Sequence, residues 1–156
     1  MNSEVIYYRE SNWRGRYGDS HRKDVTIGAD FTSPAEWPYT IKKVHVTYSG
    51  GERTPESETI KLPRELYLRI REIIVEAMPL LDECEEEIDN GSMDGTGEAY
   101  TFTVDGSSKL IRGDSIYGQG SWEAEQAESR RGDSYTVYAV VKKIEDALAA
   151  ANVSLW

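Results

Sequence analysis

The stretch from residue 62 to residue 81 constrains the fold more than any other part of the sequence. Its apolar side chains recur at the spacing of a helix with one buried face, at Leu66, Ile70, Ile73, Ile74, Ala77 and Leu81. Pro63 suits a first helical turn, where its missing N–H is not needed. Pro79 disfavours the helical conformation at the residue before it, so we expect the helix to end or kink there. Such a helix requires an apolar surface to pack against.

Alternating apolar and polar residues predict strands that could supply this surface. The alternation indicates strands over residues 25–31, 41–48 and 100–104, and residues 4–8 are predicted to be a strand because they are rich in β-forming residues. Asp105-Gly106 predicts a type I′ turn into a further strand over residues 108–112. A second apolar stripe predicts a helix over residues 135–152, with inward positions at Val137, Val140, Val141, Ile144, Leu148 and Ala151. The polar, glycine-containing segments are read as loops over residues 11–23, 50–58 and 118–131.

The order of these elements favours an α+β fold, because strands occur in groups and do not alternate one for one with helices. We predict an antiparallel sheet of about five strands with two amphipathic helices packed on one face, a two-layer sandwich. The length of 156 residues fits one domain, residues 1–156. A free edge of this sheet could pair with a second copy to form a homodimer.

Charge is distributed unevenly along the chain. The formal net charge is −10, and residues 1–80 hold 12 acidic and 12 basic side chains, so residues 81–156 carry all of it. Eight carboxylates occur without any Lys or Arg between residues 82 and 98, at Asp82, Glu83, Glu85, Glu86, Glu87, Asp89, Asp94 and Glu98. Repulsion makes direct nucleic-acid binding by this half unfavourable and favours a basic surface on a partner protein. The alternative interpretation is a solvated acidic loop that maintains solubility.

The segment 9–23 differs from the rest because it mixes cations with aromatic rings. Guanidinium groups bind phosphate oxygens in pairs, and Trp or Tyr rings stack on bases. As an alternative function, the segment therefore predicts a nucleotide or phosphate site formed by Trp13, Arg14, Arg16, Tyr17 and Arg22. These arginines could instead pair with the acidic half, while the aromatic rings cover the core.

Metal and catalytic chemistry has little support in the sequence. Residues 90–98 match part of a calcium-binding loop, but Thr101 occupies the position that requires a bidentate glutamate. The two histidines, His21 and His45, and the single Cys84 lack the spacing of metal ligands. No nucleophile motif, phosphate-binding loop or dinucleotide fingerprint occurs, so we expect no metal and no cofactor. An enzyme is less favoured than a binding protein, although residues that converge only in three dimensions would show no motif.

The sequence as a whole predicts a non-catalytic acidic binding module. It contains no apolar run of about 18 residues, begins without the order of a secretory signal, and has one cysteine, all of which indicate the cytoplasm. The acidic stretch would dock on a basic surface of a partner such as a nucleic-acid-processing enzyme. The protein would then act as an inhibitor or antagonist, of the immunity or phage anti-defence type.

Overall fold

The structure, a computed structural model, describes residues 3–15, 18–32, 37–90, 96–126 and 131–155. Within these ranges the chain forms seven strands and three helices. In chain order they are β1 Glu4–Arg14, β2 Ser20–Ala29, β3 Tyr39–Ser49, β4 Glu52–Lys61, α1 Arg64–Asp82, β5 Glu87–Ile88, β6 Gly97–Val104, β7 Ser107–Asp114, α2 Ile116–Glu125 and α3 Asp133–Ala149. The α+β class is confirmed, whereas the predictions of about five strands and two helices were too low.

The strands form one mixed sheet in the order β4-β3-β2-β1-β6-β7-β5. Neighbouring strands are antiparallel except for β5, which pairs with β7 in parallel over two residues. The prediction of a purely antiparallel sheet was therefore wrong at this edge. Because β1 pairs with β2 on one side and with β6 on the other, it joins the first four strands to the C-terminal ones.

Strands β1 and β2 form a long hairpin where we predicted a loop. Their pairing runs from Glu4 opposite Ala29 to Arg14 opposite Ser20. Most described residues of the segment 11–23 are therefore strand. The hydrophobic pattern did not reveal this because the positions near the turn carry polar side chains on both faces of the hairpin.

Strand β4 also occupies a segment, 50–58, that we predicted to be a loop. Every residue from Glu52 to Thr59 is exposed, and β4 pairs only with β3. An edge strand of this kind needs no apolar alternation. Pro55 lies opposite Val46 and suits an edge strand, because proline cannot donate a hydrogen bond to a further neighbour.

Helix α1 packs against the sheet and α3 and buries four of the six residues of its predicted stripe, whereas Leu66 and Ala77 are only partly buried. Ile70 and Ile74 are fully buried, and each contributes about 2–5 kcal/mol to stability relative to alanine. The helix does not end near Pro79 but continues to Asp82. Pro79 and Val75, whose carbonyl loses its usual donor, are both exposed, so water can satisfy that carbonyl.

Helix α2 begins at Ile116 and occupies residues 118–125 of the segment 118–131 that we predicted to be a loop. Gly118 and Gly120 lower its helix propensity, which explains the missed prediction. Gly120 lies against α3, where an added Cβ would collide with the Ser134 carbonyl and with Tyr138. Glycine therefore allows α2 and α3 to pack closely. Within the described ranges, no helix is long and apolar enough to span a membrane.

The core lies between the helices and one face of the sheet. Register aligns Phe102, Tyr7, Ile27 and Ile41 in one row across β6, β1, β2 and β3, and all four side chains are fully buried. They share one hydrophobic cluster with the buried residues of α1 and α3. Towards the β1–β2 turn, the same face of the sheet changes from apolar to polar.

Candidate functional site

Three successive rows of side chains cross the polar end of this sheet face. Each row lies two residues further along the strands than the one before it. The first row holds Tyr100, Arg9, Val25, Lys43 and Glu58, the second Glu98, Ser11, Lys23, His45 and Glu56, and the third Trp13, His21, Thr47 and Thr54. These polar side chains continue directly from the core, because strand residues two apart share a face.

A cleft of about 510 Å³ opens over these rows, beside the start of α2. We call it the cationic cleft and define it by Arg9, Ser11, Trp13, Lys23, Glu98 and Tyr117, which line it. A second cleft of about 480 Å³ shares Arg9 and Tyr117 and is bordered by the C-terminal residues 152–155. Arg9 therefore lies at the boundary between the two.

Arg9 is the most buried cation of the cleft, with 6% of its surface exposed. Its Nη2 donates to Glu98 Oε1 at 3.1 Å, and its guanidinium lies 5.1 Å and 5.3 Å from the ring centres of Tyr100 and Tyr117. The Tyr100 hydroxyl donates to the same carboxylate oxygen. Burial raises the pKa of Tyr100 well above its usual value, so this hydroxyl keeps its proton. Arg9 is thus fixed in orientation, and the Glu98 charge is compensated.

Lys23 and Lys43 add two further cations next to Arg9. Burial lowers the pKa of Lys23, and the positive charges of Lys43 and Arg9 lower it further. Nζ of Lys43, a residue that is 9% exposed, donates to the Ser154 carbonyl and so ties the C-terminal segment to the sheet. A lysine whose charge is disfavoured by its surroundings is stabilised when an anion approaches it.

Neutral hydrogen-bond donors also face the cleft. Ser11 is 1% exposed, and its Oγ has no hydrogen-bond partner among the described residues. Ser115, which precedes α2, has a left-handed backbone with φ of 51°, and the Tyr117 N–H donates to Glu98 Oε1 at 3.4 Å. The partial positive charge of a helix N-terminus favours anions. The cleft thus combines cations with donors that suit an anionic ligand.

A hydrogen-bonded pair of histidines borders the cleft. His21 Nδ1 and His45 Nε2 are 3.0 Å apart, and His21 Nε2 lies 2.8 Å from Asp19 Oδ2. The Trp13 ring stacks on His21 with centres 5.1 Å apart and an interplanar angle of 6°. Lys23 lies directly opposite His45 across β2 and β3, which places the histidine pair beside the cations.

The structure does not assemble the ligand site that we predicted from the segment 9–23. Trp13 lines the cleft, but Arg14 and Arg22 lie on the opposite face of the sheet, because side chains alternate along a strand. On that face Arg22 pairs with Glu10 at 2.6 Å and with Asp24 at 3.2 Å. Of the expected residues with a described position, only Trp13 therefore reaches the cleft.

The sequence prediction included Arg9 and Lys23 in the segment 9–23 without naming them as ligand-binding residues, and it missed Tyr117. Arg16 and Tyr17, which it favoured, lie outside the described residues. A signal for the first two was present, since residues 7–13 and 21–27 keep a two-residue period in which polar side chains occupy the apolar register. Tyr117 had no local signal, because α2 brings it to the cleft from the other half of the chain.

The acidic segment, residues 82–89, lies at the end of α1 and in β5. Its six carboxylates are all exposed, at Asp82, Glu83, Glu85, Glu86, Glu87 and Asp89. Glu87 pairs with Arg112 at 2.7 Å, with both side chains exposed. Asp94 lies outside the described residues. Glu98 does not share this surface, because β6 carries it into the cleft, where it is 6% exposed and pairs with Arg9.

The geometry gives little support for a metal site or for a nucleophilic cysteine. No set of three or more His, Cys, Asp or Glu side chains in the described ranges is placed to hold a metal ion. Most of the partial calcium-loop match falls on residues 91–95, which lie outside those ranges. Burial raises the pKa of the Cys84 thiol to about 11, so little thiolate exists at neutral pH.

Comparison with known proteins provides no relatives from which to transfer a function, since no family model and no curated protein match the chain. Fold and site alone define its class. It is an α+β protein whose seven-stranded mixed sheet carries a cationic cleft at the polar end of its helix-facing side. The chemistry of that cleft is the basis for inferring function.

Proposed function

We propose that the protein binds a small anionic ligand, a phosphate or a nucleotide, in the cationic cleft. The observation that carries this proposal is the convergence of Arg9, Lys23 and Lys43 in a protein of formal net charge −10. Perturbed ionisable groups beside a cleft are typical of functional sites. The ligand class is the one that the segment 9–23 predicted, and of the residues named for it only Trp13 is retained.

Each group of the cleft has a distinct role in this proposal. Lys23 and Arg9 attract the phosphate, the Ser11 hydroxyl donates to it, and Trp13 offers a flat surface to a base. Glu98 does not repel the ligand strongly, because Arg9 compensates its charge at 3.1 Å. The volume of about 510 Å³ falls within the range of about 300–1,000 Å³ that small-ligand sites occupy.

Thermal-shift and calorimetric titrations with inorganic phosphate, pyrophosphate, AMP and ATP test the proposal. Lys23→Ala should weaken binding of the best ligand about ten-fold or more, because it removes a charge-assisted hydrogen bond. Lys61→Ala removes the same charge from an exposed position on β4 and should change the affinity by less than about two-fold.

Two outcomes would contradict this assignment. If none of the four anions shifted the unfolding temperature or produced heat of binding, the cleft would not be an anion site for these ligands. If Lys61→Ala weakened binding as much as Lys23→Ala, the affinity for the anion would depend on the net charge of the protein and not on the cleft. Both variants lower the positive charge by one, so the comparison isolates position.

We also propose a second candidate function, in which the acidic segment docks on a basic surface of a partner protein. The exposure of all six of its carboxylates supports this, because exposed charges accelerate and orient association. A nucleic-acid-processing enzyme offers such a surface, and the protein would act on it as an inhibitor or antagonist. Both candidates are binding functions in the cytoplasm, and neither requires catalysis, a cofactor or a metal.

Capture of a purified nucleic-acid-processing enzyme over a salt series tests this second candidate. Neutralising the segment with Glu85→Gln, Glu86→Gln, Glu87→Gln and Asp89→Asn should abolish capture at low salt. Neutralising Glu52, Glu56 and Glu58 on β4 provides a control, because these carboxylates lie on a different exposed element. Capture that survives neutralisation of the acidic segment would exclude it as the docking surface.

A further inference from the structure

Asp19, His21 and His45 form a chain of hydrogen bonds whose direction follows from their chemistry. An ionised carboxylate only accepts, so His21 Nε2 carries the proton in its 2.8 Å contact with Asp19. In the neutral ring His21 Nδ1 is then an acceptor, and His45 Nε2 donates to it across 3.0 Å. Both rings are therefore Nε2–H tautomers, and His45 Nδ1 is the nitrogen that can take up a proton.

The fold holds this chain of residues in place. The Gly15 N–H donates to the Asp19 carbonyl at 2.8 Å, and a Cβ on Gly15 would collide with the Asp19 carboxylate and lie 2.9 Å from His21 Nε2. Trp13 covers one face of the His21 ring, and Thr47 Oγ1 lies 3.5 Å from His21 Nδ1. The His21 side chain is only 17% exposed, which restricts its rotation. A side chain at position 15 would therefore displace Asp19 and His21.

We propose that Asp19, His21 and His45 form a proton relay that adds one positive charge beside the cationic cleft as pH falls through the imidazole range. A proton taken up at His45 Nδ1 leaves both hydrogen bonds intact, because His45 still donates through Nε2. A second proton would have to occupy His21 Nδ1, which would break the 3.0 Å hydrogen bond and place two cations in contact. The pair therefore takes up one proton.

The consequence of this relay rests on the proposed anion-binding function. Protonated His45 adds a positive charge next to Lys23, its direct neighbour across the strands, so an anion in the cleft binds more tightly at lower pH. The relay thus couples the affinity of the cleft to pH. It also explains why two histidines lie together in a chain that contains only two.

Charged groups on each neighbouring element act on His45. Lys23 on β2 and Glu56 on β4 lie directly opposite His45. Lys43 lies two residues away on β3, and Asp19 is joined to His45 through His21. Imidazole is the side chain that ordinarily titrates between about pH 5 and 8, so a change of affinity in this range reports on the histidines.

Sulfate is the probe for the coupling, because its charge is constant in this range of pH. Calorimetry should show about ten-fold tighter sulfate binding at about pH 5.5 than at about pH 8. His45→Gln should remove most of this difference. Gly15→Ala should reduce it by displacing Asp19 and His21, whereas Gly97→Ala, whose Cβ would lie 3.8 Å from the nearest atom, should retain it.

Nitrogen NMR of the two imidazole rings tests the relay without any ligand. Both rings should be Nε2–H tautomers at about pH 8, and the pair should take up a single proton, at His45 Nδ1, as pH falls to about 5.5. An Nδ1–H tautomer on either ring at pH 8, or independent protonation of both rings, would overturn the relay. Sulfate affinity that is equal at the two pH values would overturn the coupling. A protein that binds no sulfate but shows the expected spectra would contradict the proposed function and not the relay.

Discussion

The cationic cleft and the acidic segment carry charge in opposite ways. The acidic segment has six carboxylates within eight residues, all exposed, and it accounts for most of the net charge. The cleft and its border have three cations, and two of them, Arg9 and Lys43, are only 6% and 9% exposed. Water and salt screen the charges of the first region, whereas the fold fixes those of the second. Burial therefore says more about function than the number of charges does.

This difference in burial affects the free energy of unfolding as well as ligand binding. An exposed ion pair such as that of Glu87 and Arg112 contributes about 0–1 kcal/mol. Removing one partner of a buried pair such as Arg9 and Glu98 costs about 3–5 kcal/mol, because the other charge stays buried without compensation. Matched substitutions in the two regions should thus have very different effects.

The largest expected effect is that of Arg9→Ala, which leaves Glu98 buried and uncompensated. It should lower the free energy of unfolding by about 3–5 kcal/mol in urea denaturation. Arg112→Ala, which removes the partner of exposed Glu87, should lower it by less than about 1 kcal/mol. Similar losses in both variants would contradict the distinction between buried and exposed charge.

Cys84 provides a further test of the difference between buried and exposed groups, because its side chain is buried although it lies within the acidic segment. Its thiol pKa rises from 9.0 to about 11, mainly through burial and then through the charge of Asp133. Alkylation at about pH 8 should therefore be about 100-fold slower in the folded protein than in urea, since less thiolate is present. Glu85→Gln should leave the folded rate unchanged, whereas Asp133→Asn should raise it. A folded rate that levelled off near pH 9 would contradict the raised pKa.

Substitution of Lys23 should have a smaller effect, which increases the stability of the free protein and weakens anion binding. Because folding lowers its pKa, charged Lys23 destabilises the native state at neutral pH, and this penalty disappears as pH rises towards 10.5. Lys23→Gln should therefore raise the urea midpoint at about pH 7 while weakening anion binding. The difference in midpoint should shrink at about pH 10. A lower midpoint for Lys23→Gln at pH 7 would show that the lysine stabilises the free protein.

The smallest expected effect comes from the largest change of charge. Neutralising Glu85, Glu86, Glu87 and Asp89 together should change the free energy of unfolding by less than about 1 kcal/mol, because exposed side chains contribute little. Anion affinity of the cleft should change by less than about two-fold at about 0.15 M salt, where the Debye length is about 8 Å. A large gain in affinity would show that the acidic segment acts on the cleft over distance.

The elements that the sequence predicted well are those whose apolar period is intact. The stripe of α1, most of the stripe of α3 and the turn at Asp105-Gly106 appear in the structure near their predicted positions, but Ala151 lies beyond α3 and is exposed. The α2 helix was missed because Gly120, one of its two glycines, serves packing on α3, a tertiary requirement that no local pattern reveals. Most of the edge strand β4 was missed because its residues 52–59 are all exposed.

The segment 9–23 predicted a site for an anionic ligand from its mixture of cations and rings. Of the residues named for that site, Trp13 lines the cleft. Side chains alternate between the two faces along the hairpin strands, however, so Arg14 and Arg22 lie on one face of the sheet and Arg9 on the other. Because we predicted this segment to be a loop, we did not predict that its arginines lie on two faces.

The free edge formed by β4 has a consequence for how copies of the protein meet. A second copy adding its own β4 would encounter Pro55, which offers no N–H, and the two strands would together carry six carboxylates against four cations, from Arg53 and Lys61 of each chain. Both features weaken the pairing of this edge with a second copy. We therefore expect the protein to resist fibril growth through β4 in concentrated solution. A long unpaired edge strand would ordinarily be the place where such growth begins.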